Sequence, residues 1–301
     1  MSDRLDGLQT FLRVYDARSF SAVARDLGVS QPTISKRVAE VEAHFGVQLF
    51  TRSTRQIHPT ADAVRLYDHA RHIADQVELA EASVDRRSEQ PGGLLRVTVP
   101  SFFGRAHIIP RLPRYYALHD KVRIDIRMTD QIVDLVAAGI DLGIRIGEVT
   151  TPSFVARRIG SARQVLVASP DYLGRVGEPR IPEDLTRHDC IVYSGFKGPD
   201  RLVFESEFGR RVVRVTGVLH LDSADGMRDA ALAGIGVTVI PAWDINQVIA
   251  EGRLKVLLPD YPAASMPINI IYPETKWLAP RARSFIDFLV AEFADPAALQ
   301  S

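Results

Sequence analysis

The chain has 301 residues, is 46% hydrophobic and carries 20 Gly and 18 Pro, which excludes a disordered, collagen-like or low-complexity polymer and predicts two or three domains. Thirty-seven Lys and Arg balance thirty-seven Asp and Glu, so a nucleic acid or a membrane could be held only by a local patch. The one cysteine excludes an intrachain disulfide and a multi-cysteine metal site. Residues 1 to about 90 contain only Pro32 and Pro59 and show helical apolar spacing. Leu5, Leu8, Leu12 and Tyr15, with Phe11 beside them, predict a first helix. Ser19 or Ser21 caps a short second helix through Val23, Ala24 and Leu27, which stops at Gly28. Ser30 caps a third, with Pro32 in its first turn, where the missing N–H costs nothing. Ile34, Val38, Val41 and Phe45 form its inner face, and Gly46 ends it.

Thr60 caps a longer helix. Leu66, Ala70, Ile73, Val77, Ala80 and Val84 alternate steps of four and three, the spacing of a coiled-coil seam. Such a seam either packs on its own domain or pairs two copies. The charged opposite face (Arg65, Asp68, Arg71, Asp75, Glu78, Glu81) favours the pairing. A polar break at Ser88–Gly93 marks a boundary. Beyond it the pattern changes. Leu94–Val99 reads as a strand, His107–Leu118 as a helix, Val122–Met128 as a strand, Gln131–Ala138 as a helix and Leu142–Ile146 as a strand, the alternation of a parallel α/β sheet. Val165–Ser169, Cys190–Tyr193 and Val237–Ile240 read as further strands. Asp225–Ala233 and Arg281–Phe293 read as helices. Apolar runs such as that near Leu135–Ile140 are far below the roughly 20 residues of a membrane span. The residues behind Met1–Asp6 form no long apolar stretch, so no secretory leader and a cytoplasmic location are expected.

The segment Ala22–Val38 has the anatomy of a helix-turn-helix. Ala24 is small where two helices would cross, Gly28 sits where a positive φ is needed, and Val29 and Ile34 plug the core beneath. The exposed start of the third helix carries Gln31, Thr33, Ser35 and Lys36, hydrogen-bonding side chains of the kind that read base edges in a major groove. An ordinary helical hairpin, in which Ser and Thr only cap, is the plainer reading. The segment Phe50-Thr51-Arg52-Ser53-Thr54-Arg55 tells against it, since two arginines on an extended stretch suit a wing following phosphates. Over residues 1–60 eight basic residues stand against six acidic ones, and Lys36, Arg37, Arg52 and Arg55 lie on the recognition helix or wing.

These motifs resemble those of the LysR-type transcriptional regulators. The likeness begins at Leu8-Gln9-Thr10-Phe11 and Ser19–Ala24. It runs through Leu27–Ser35 and Leu49–Arg55 to Pro59-Thr60, and it continues at Asp141–Gly147, Ala230–Val237 and Gly252-Arg253-Leu254. The resemblance implies an α/β multi-domain chain: an all-α winged helix-turn-helix over 1–60, a linker and dimerisation helix over 61–90, and a two-lobed effector domain like periplasmic binding proteins over 91–301. Lobe I would comprise 91–162 and 267–301, and lobe II 163–266, joined by two crossover strands. It implies that Gln31, Pro32, Thr33, Ser35 and Lys36 face bases and nearby backbone, and that Arg52 and Arg55 hold the minor-groove edge and phosphates. Where many members carry arginine, this chain has Lys36, a point charge without the bidentate fork, better suited to a phosphate or a single base contact. Arg37 is then the stronger backbone clamp or a solvated face residue. The partners implied are promoter DNA, a small-molecule effector, further copies of the chain (a homodimer, then a homotetramer) and RNA polymerase. The implied role is chiefly activation, with autorepression, on the nucleoid.

A two-lobed cleft binds at the carboxyl ends of strands. Ser101, which ends the first strand, binds an effector oxygen or caps its own helix. Phe102 and Phe103 divide between cleft and core. Thr129 and Asp130 end the second strand, and Asp130 caps a helix or meets an effector donor. Arg145 on an apolar strand needs a carboxylate, from a neighbour or from the ligand. Phe196 and Asp222-Ser223 are rim positions in the second lobe. Cys190 reads as a small buried hydrophobe. No metal or cofactor is expected. No His-Glu-x-x-His, Gly-x-Ser-x-Gly or P-loop is present, so the sequence offers no catalytic residues and an enzyme is not expected. A transport solute-binding protein would leave residues 1–90 unexplained.

Overall fold

The computed structural model describes residues 2–52, 57–84, 91–149, 153–195, 200–207, 209–274 and 278–299. The amino-terminal unit starts with α1 (Ser2–Ala17), α2 (Phe20–Asp26) and α3 (Gln31–Phe45). The capping residues act as the sequence requires. The Ser19 hydroxyl accepts from the Ala22 N–H and that of Ser30 from the Thr33 N–H. Gly28 takes φ +65° in the turn between α2 and α3, and Gly46 takes φ +67° after α3, conformations that cost a side chain bearing Cβ about 1–2 kcal/mol. A two-stranded wing follows, β1 (Phe50–Arg52) antiparallel to β2 (Ile57–Pro59). Phe11, Val14, Phe20, Ile34, Val38, Leu49 and Phe50 form the core, and the Phe50 ring stands 5.8 Å from Phe11 and 5.7 Å from Phe20. Phe45 departs from expectation. In the last turn of α3 it is 48% exposed, edge-on to His44, so the inner face of α3 ends at Val41.

The long helix α4 (Ala61–Val84) starts where Thr60 accepts from the Ala63 N–H. Its first turns pack on this same core. Ala63 and Ala70 are fully buried, Leu66 and Tyr67 lie against them, Tyr67 stacks on Tyr15 at 4.1 Å, and the Tyr67 hydroxyl donates to Asp16. The seam therefore divides. Leu66 and Ala70 serve the chain's own core, while Ile73 is 45% exposed. The side chains of Ala80 and Val84 lie outside the described ones.

The carboxy-terminal unit opens with β3 (Gly93–Val99). A helical stretch follows from α5 (Ser101–Phe103) through a π turn (Gly104–Ile108) and a 3-10 turn (Ile109–Arg111) to α6 (Leu112–Leu118). Pro110 and Pro113 supply no N–H, which breaks what the periodicity reads as one helix. Then come β4 (Val122–Met128) and β5 (Leu142–Ile146). β3 pairs parallel with both, as the alternation requires. The helix expected over Gln131–Ala138 is absent, and turns take its place. Its apolar residues explain why: Leu135 is buried, but Ile132 is 86% and Val136 53% exposed, so a helix there would have no apolar face to bury.

Two long antiparallel strands, β6 (Phe154–Ala168) and, late in the chain, β13 (Ala263–Pro273), link two sets of strands. On one side Ile268–Ile271 of β13 pair with β5. On the other, Gln164–Ala168 of β6 pair with two short strands described below. Between β6 and β13 lie α7 (Pro170–Val176), β7 (Cys190–Tyr193), the hairpin β8 (Arg201–Ser206) and β9 (Gly209–Arg214), and β10 (Gly217–Leu221). Next come α8 (Ala224–Leu232), β11 (Thr238–Pro241), α9 (Asn246–Ala250) and β12 (Lys255–Leu257). β11 and β12 are the short strands that flank β6, and β7 pairs parallel with β10. Finally α10 (Pro280–Glu292) packs beside α6, where the Tyr115 ring meets Phe285 and Phe288. Among the described residues the result is a nine-stranded mixed sheet that runs through two α/β lobes. The turn into β11 needs both its glycines. Gly234 takes φ +74°, and a Cβ on Gly236 would stand 2.2 Å from the Asp189 carbonyl oxygen. Among the described residues no helix is long and apolar enough to cross a membrane.

Candidate functional site

In the amino-terminal unit α3 buries Ile34, Val38 and Val41 and leaves Gln31, Pro32 and Lys36 exposed. Thr33, Ser35 and Arg37 are half-buried. The Thr33 hydroxyl lies 2.8 Å from that of Ser30, so it shares the helix cap. The Lys36 ammonium is 3.9 Å from Glu40, and both side chains are more than half exposed. Such a pair holds its cation weakly and would release it to a stronger anion. The wing is hooked to α3 by Glu42, whose carboxylate accepts from the Leu49 N–H at 2.8 Å and the Phe50 N–H at 3.3 Å. The backbone of Arg52 pairs with Ile57. The Arg52 side chain and the whole of Arg55 lie outside the described residues.

In the carboxy-terminal unit the strand ends converge where the two lobes meet. The Asp130 carboxylate accepts from the Ser101 N–H at 3.0 Å. Asp130 thus caps α5, not the segment after itself. The Ser101 hydroxyl has no hydrogen-bond partner among the described residues, so it does not cap α5. The Thr129 hydroxyl accepts from the Gln131 N–H and closes a local turn. Phe103 is buried against His107, Trp243 and Phe293, which settles which phenylalanine belongs to the core. Phe102 is half-buried, with the guanidinium groups of Arg105 and Arg228 lying 5.7 and 6.0 Å from its ring centre. Asp222 is exposed, and Ser223 caps α8. Phe196 lies outside the described residues.

Arg145 is the informative group. Nη1 donates to the Ile144 carbonyl at 2.8 Å, while Nη2 is buried and has no hydrogen-bond partner among the described residues. Burial lowers its pKa, and Tyr193 and Asp130 act in the opposite sense, so its head sits within their reach. The Tyr193 hydroxyl donates to the Asp130 carbonyl at 3.3 Å. Burial, with Asp130 and Asp222 nearby, pushes that phenol up to about 12. Burial also raises Asp130, and Asp225 and Asp222 add repulsion against the Ser101 hydrogen bond. A second inter-lobe tie joins Arg105 to Asp225. Sequence reasoning did not single out Tyr193, Arg105, Asp225 or Arg228. Tyr193, Arg105 and Asp225 each sit within three residues of a candidate it did name, and Arg228 lies five beyond Ser223, but only the fold shows that they face one another.

Other features serve the fold. Asp141 accepts from the Arg96 N–H at 2.8 Å and meets Arg281 of α10 at 3.4 Å. Cys190 is buried, and burial pushes its thiol up to about 12, so it is not a thiolate at neutral pH. Among the described residues no cluster of His, Cys, Asp or Glu could hold a metal ion.

Comparison with known proteins locates both units. Residues 5–64 match the family model "Bacterial regulatory helix-turn-helix protein, lysR family", and residues 88–294 match "LysR substrate binding domain". The chain is 31% identical to the HTH-type transcriptional repressor PA14_22550 of Pseudomonas aeruginosa, over 99% of this chain and 95% of that protein. It is 29% identical to the HTH-type transcriptional activator TtdR of Escherichia coli, over 94% and 92%. Among solved structures, CrgA, a LysR-type transcriptional regulator from Neisseria meningitidis, superposes with a TM-score of 0.59 at 25% identity, covering 96% of this chain and 99% of that one.

Proposed function

The chain belongs to the LysR-type transcriptional regulators, a family of DNA-binding regulators rather than enzymes, and we propose that it reads its operator through the start of α3 and is switched by a small molecule held between its lobes. Gln31, Pro32, Thr33, Ser35 and Lys36 meet bases and adjacent backbone, and Arg37, Arg52 and Arg55 hold phosphates. What supports this is the exposed first turn of α3, where Gln31 and a weakly paired Lys36 stand clear of the core. Ser101, Phe102, Thr129, Asp130, Arg145, Phe196 and Asp222 line the effector site. The observation behind this is the buried, unpaired Nη2 of Arg145 at the junction of the lobes. An effector there competes with the inter-lobe ties Arg105–Asp225 and Tyr193–Asp130. It biases lobe closure by its unequal affinity for the two closure states, and so repositions paired DNA-binding units.

Those units pair through the exposed part of α4 as a homodimer, which assembles further on promoter DNA beside RNA polymerase. The protein works in the cytoplasm, on the nucleoid, chiefly as an activator that also represses its own gene. The functional boundaries fall near 60 and 90, with lobe I at 91–162 and 267–301 and lobe II at 163–266. The test is a map of genomic DNA bound by the purified protein at fixed salt, with two variants. Arg52→Ala with Arg55→Ala weakens all DNA alike and flattens the salt dependence, whereas Gln31→Ala relaxes base preference. An unchanged salt slope in the double variant would remove the wing from the interface.

A further inference from the structure

We propose that the effector of this cleft is a zwitterion, a small amino acid or close relative that presents a carboxylate to Arg145 and an ammonium group to the aspartates of the facing wall. The inference rests on the cleft being the effector site and adds the ligand's chemical class. Two unmet groups define the demand. Among the described residues, Arg145 Nη2 is a buried cationic donor without an acceptor, and Asp225 Oδ1 is a buried carboxylate oxygen without a donor. The other Asp225 oxygen is taken by Arg105. Leaving either group unmet is costly, and one ligand with an anionic and a cationic end satisfies both.

The surrounding charge selects the same ligand. Asp225 and Asp222 both act on Asp130, Asp130 and Asp222 act on Tyr193, and Arg145 lies within reach of Tyr193 and Asp130. The other nearby cations are committed, Arg105 to Asp225 and Arg228 to Asp244 at 2.7 Å and to Asp229 at 3.1 Å. A dicarboxylate would set its second anion against the aspartates. A diamine would leave Arg145 unmet and set a cation against it. A neutral hydroxy group could meet Asp225 but would leave the excess negative charge unbalanced. The ammonium group is favoured by the charges that reject the alternatives.

The experiment is calorimetric titration of the full-length protein with the common L-amino acids and with hydroxyl twins of three of them: L-malate for L-aspartate, L-lactate for L-alanine and L-phenyllactate for L-phenylalanine. At least one amino acid is expected to bind, and amino acids are expected to exceed their twins about tenfold or more. Asp225→Asn narrows that preference, and Arg145→Gln abolishes binding of both members of a pair. Arg145→Lys, which keeps the charge, retains part of it. Each variant is first shown to melt and to bind DNA as the parent does. A hydroxy acid that binds as well as its amino twin and is lost in Arg145→Gln overturns the zwitterion and leaves the cleft reading standing. Binding that ignores Arg145→Gln overturns both. The absence of any amino-acid binding overturns the zwitterion.

Discussion

Asp244 and His107 are both buried, and burial acts on them with opposite signs. The Asp244 carboxyl is pushed up to about 7, because desolvation outweighs the Arg228 guanidinium 2.7 Å away. The folded chain keeps a proton there that the unfolded chain releases near 3.8, so this group's contribution to stability falls as pH rises from about 4 to about 7. The His107 imidazole is brought down to about 4 by desolvation and by Arg111. The unfolded chain takes up that proton near 6.5, so this contribution is full above 6.5 and is lost as pH falls toward 4. The two slopes oppose one another. Relative to the parent, Asp244→Asn should gain stability as pH rises through this window, and His107→Gln should lose it. Urea denaturation at stepped pH reads both, and a pH-independent difference would contradict the assignment. Glu42 makes a simpler case. Glu42→Ala leaves the buried N–H groups of Leu49 and Phe50 without their acceptor. It should cost about 2–3 kcal/mol in denaturant, with a smaller loss for Glu42→Gln, which keeps an acceptor.

At the scale of elements, α3 must be a stable helix and is also the part proposed to meet DNA, and Ser30 lies at the junction of these demands. Its hydroxyl accepts from the Thr33 N–H. Ser30→Ala should cost about 1 kcal/mol and loosen the turn that carries Gln31 to Lys36. Ser30→Asp keeps the cap and suits the helix dipole, but it adds a negative charge beside the proposed phosphate path. That variant should melt like the parent yet bind DNA more weakly, with the deficit shrinking at high salt. Melting curves and filter binding separate the two effects. Equal DNA affinity in Ser30→Asp would place the helix start away from the backbone.

At the scale of the whole molecule, the first turns of α4 serve the chain's own core, and the turns beyond them are proposed to pair two copies. Ala63, Leu66 and Ala70 close the amino-terminal core, and Ile73 leaves it. Ile73→Asp should therefore spare the fold and weaken self-association. Sedimentation across a concentration series checks it, and an unchanged dimer would place the pairing surface elsewhere.

The helix-turn-helix was legible because its determinants are local. A cap at Ser30, a positive φ at Gly28 and the step from Ile34 to Val38 to Val41 act within a few residues, and the structure has each. The strands β3, β4 and β5 were legible for the same reason. The false helix over Gln131–Ala138 shows the limit, since periodicity records where apolar residues stand and not whether anything covers them; Ile132 stays 86% exposed. The lengths of β6 and β13 were equally hidden, because strand pairing joins residues about a hundred positions apart and the pattern along either strand alone does not reveal its partner. The cleft combines the two cases. Arg145 announced itself as a charge on an apolar strand. Tyr193, Arg105 and Asp225 acquired meaning only when folding set the second lobe against the first, where long-range proximity alone determines which charges meet and which stay unmet.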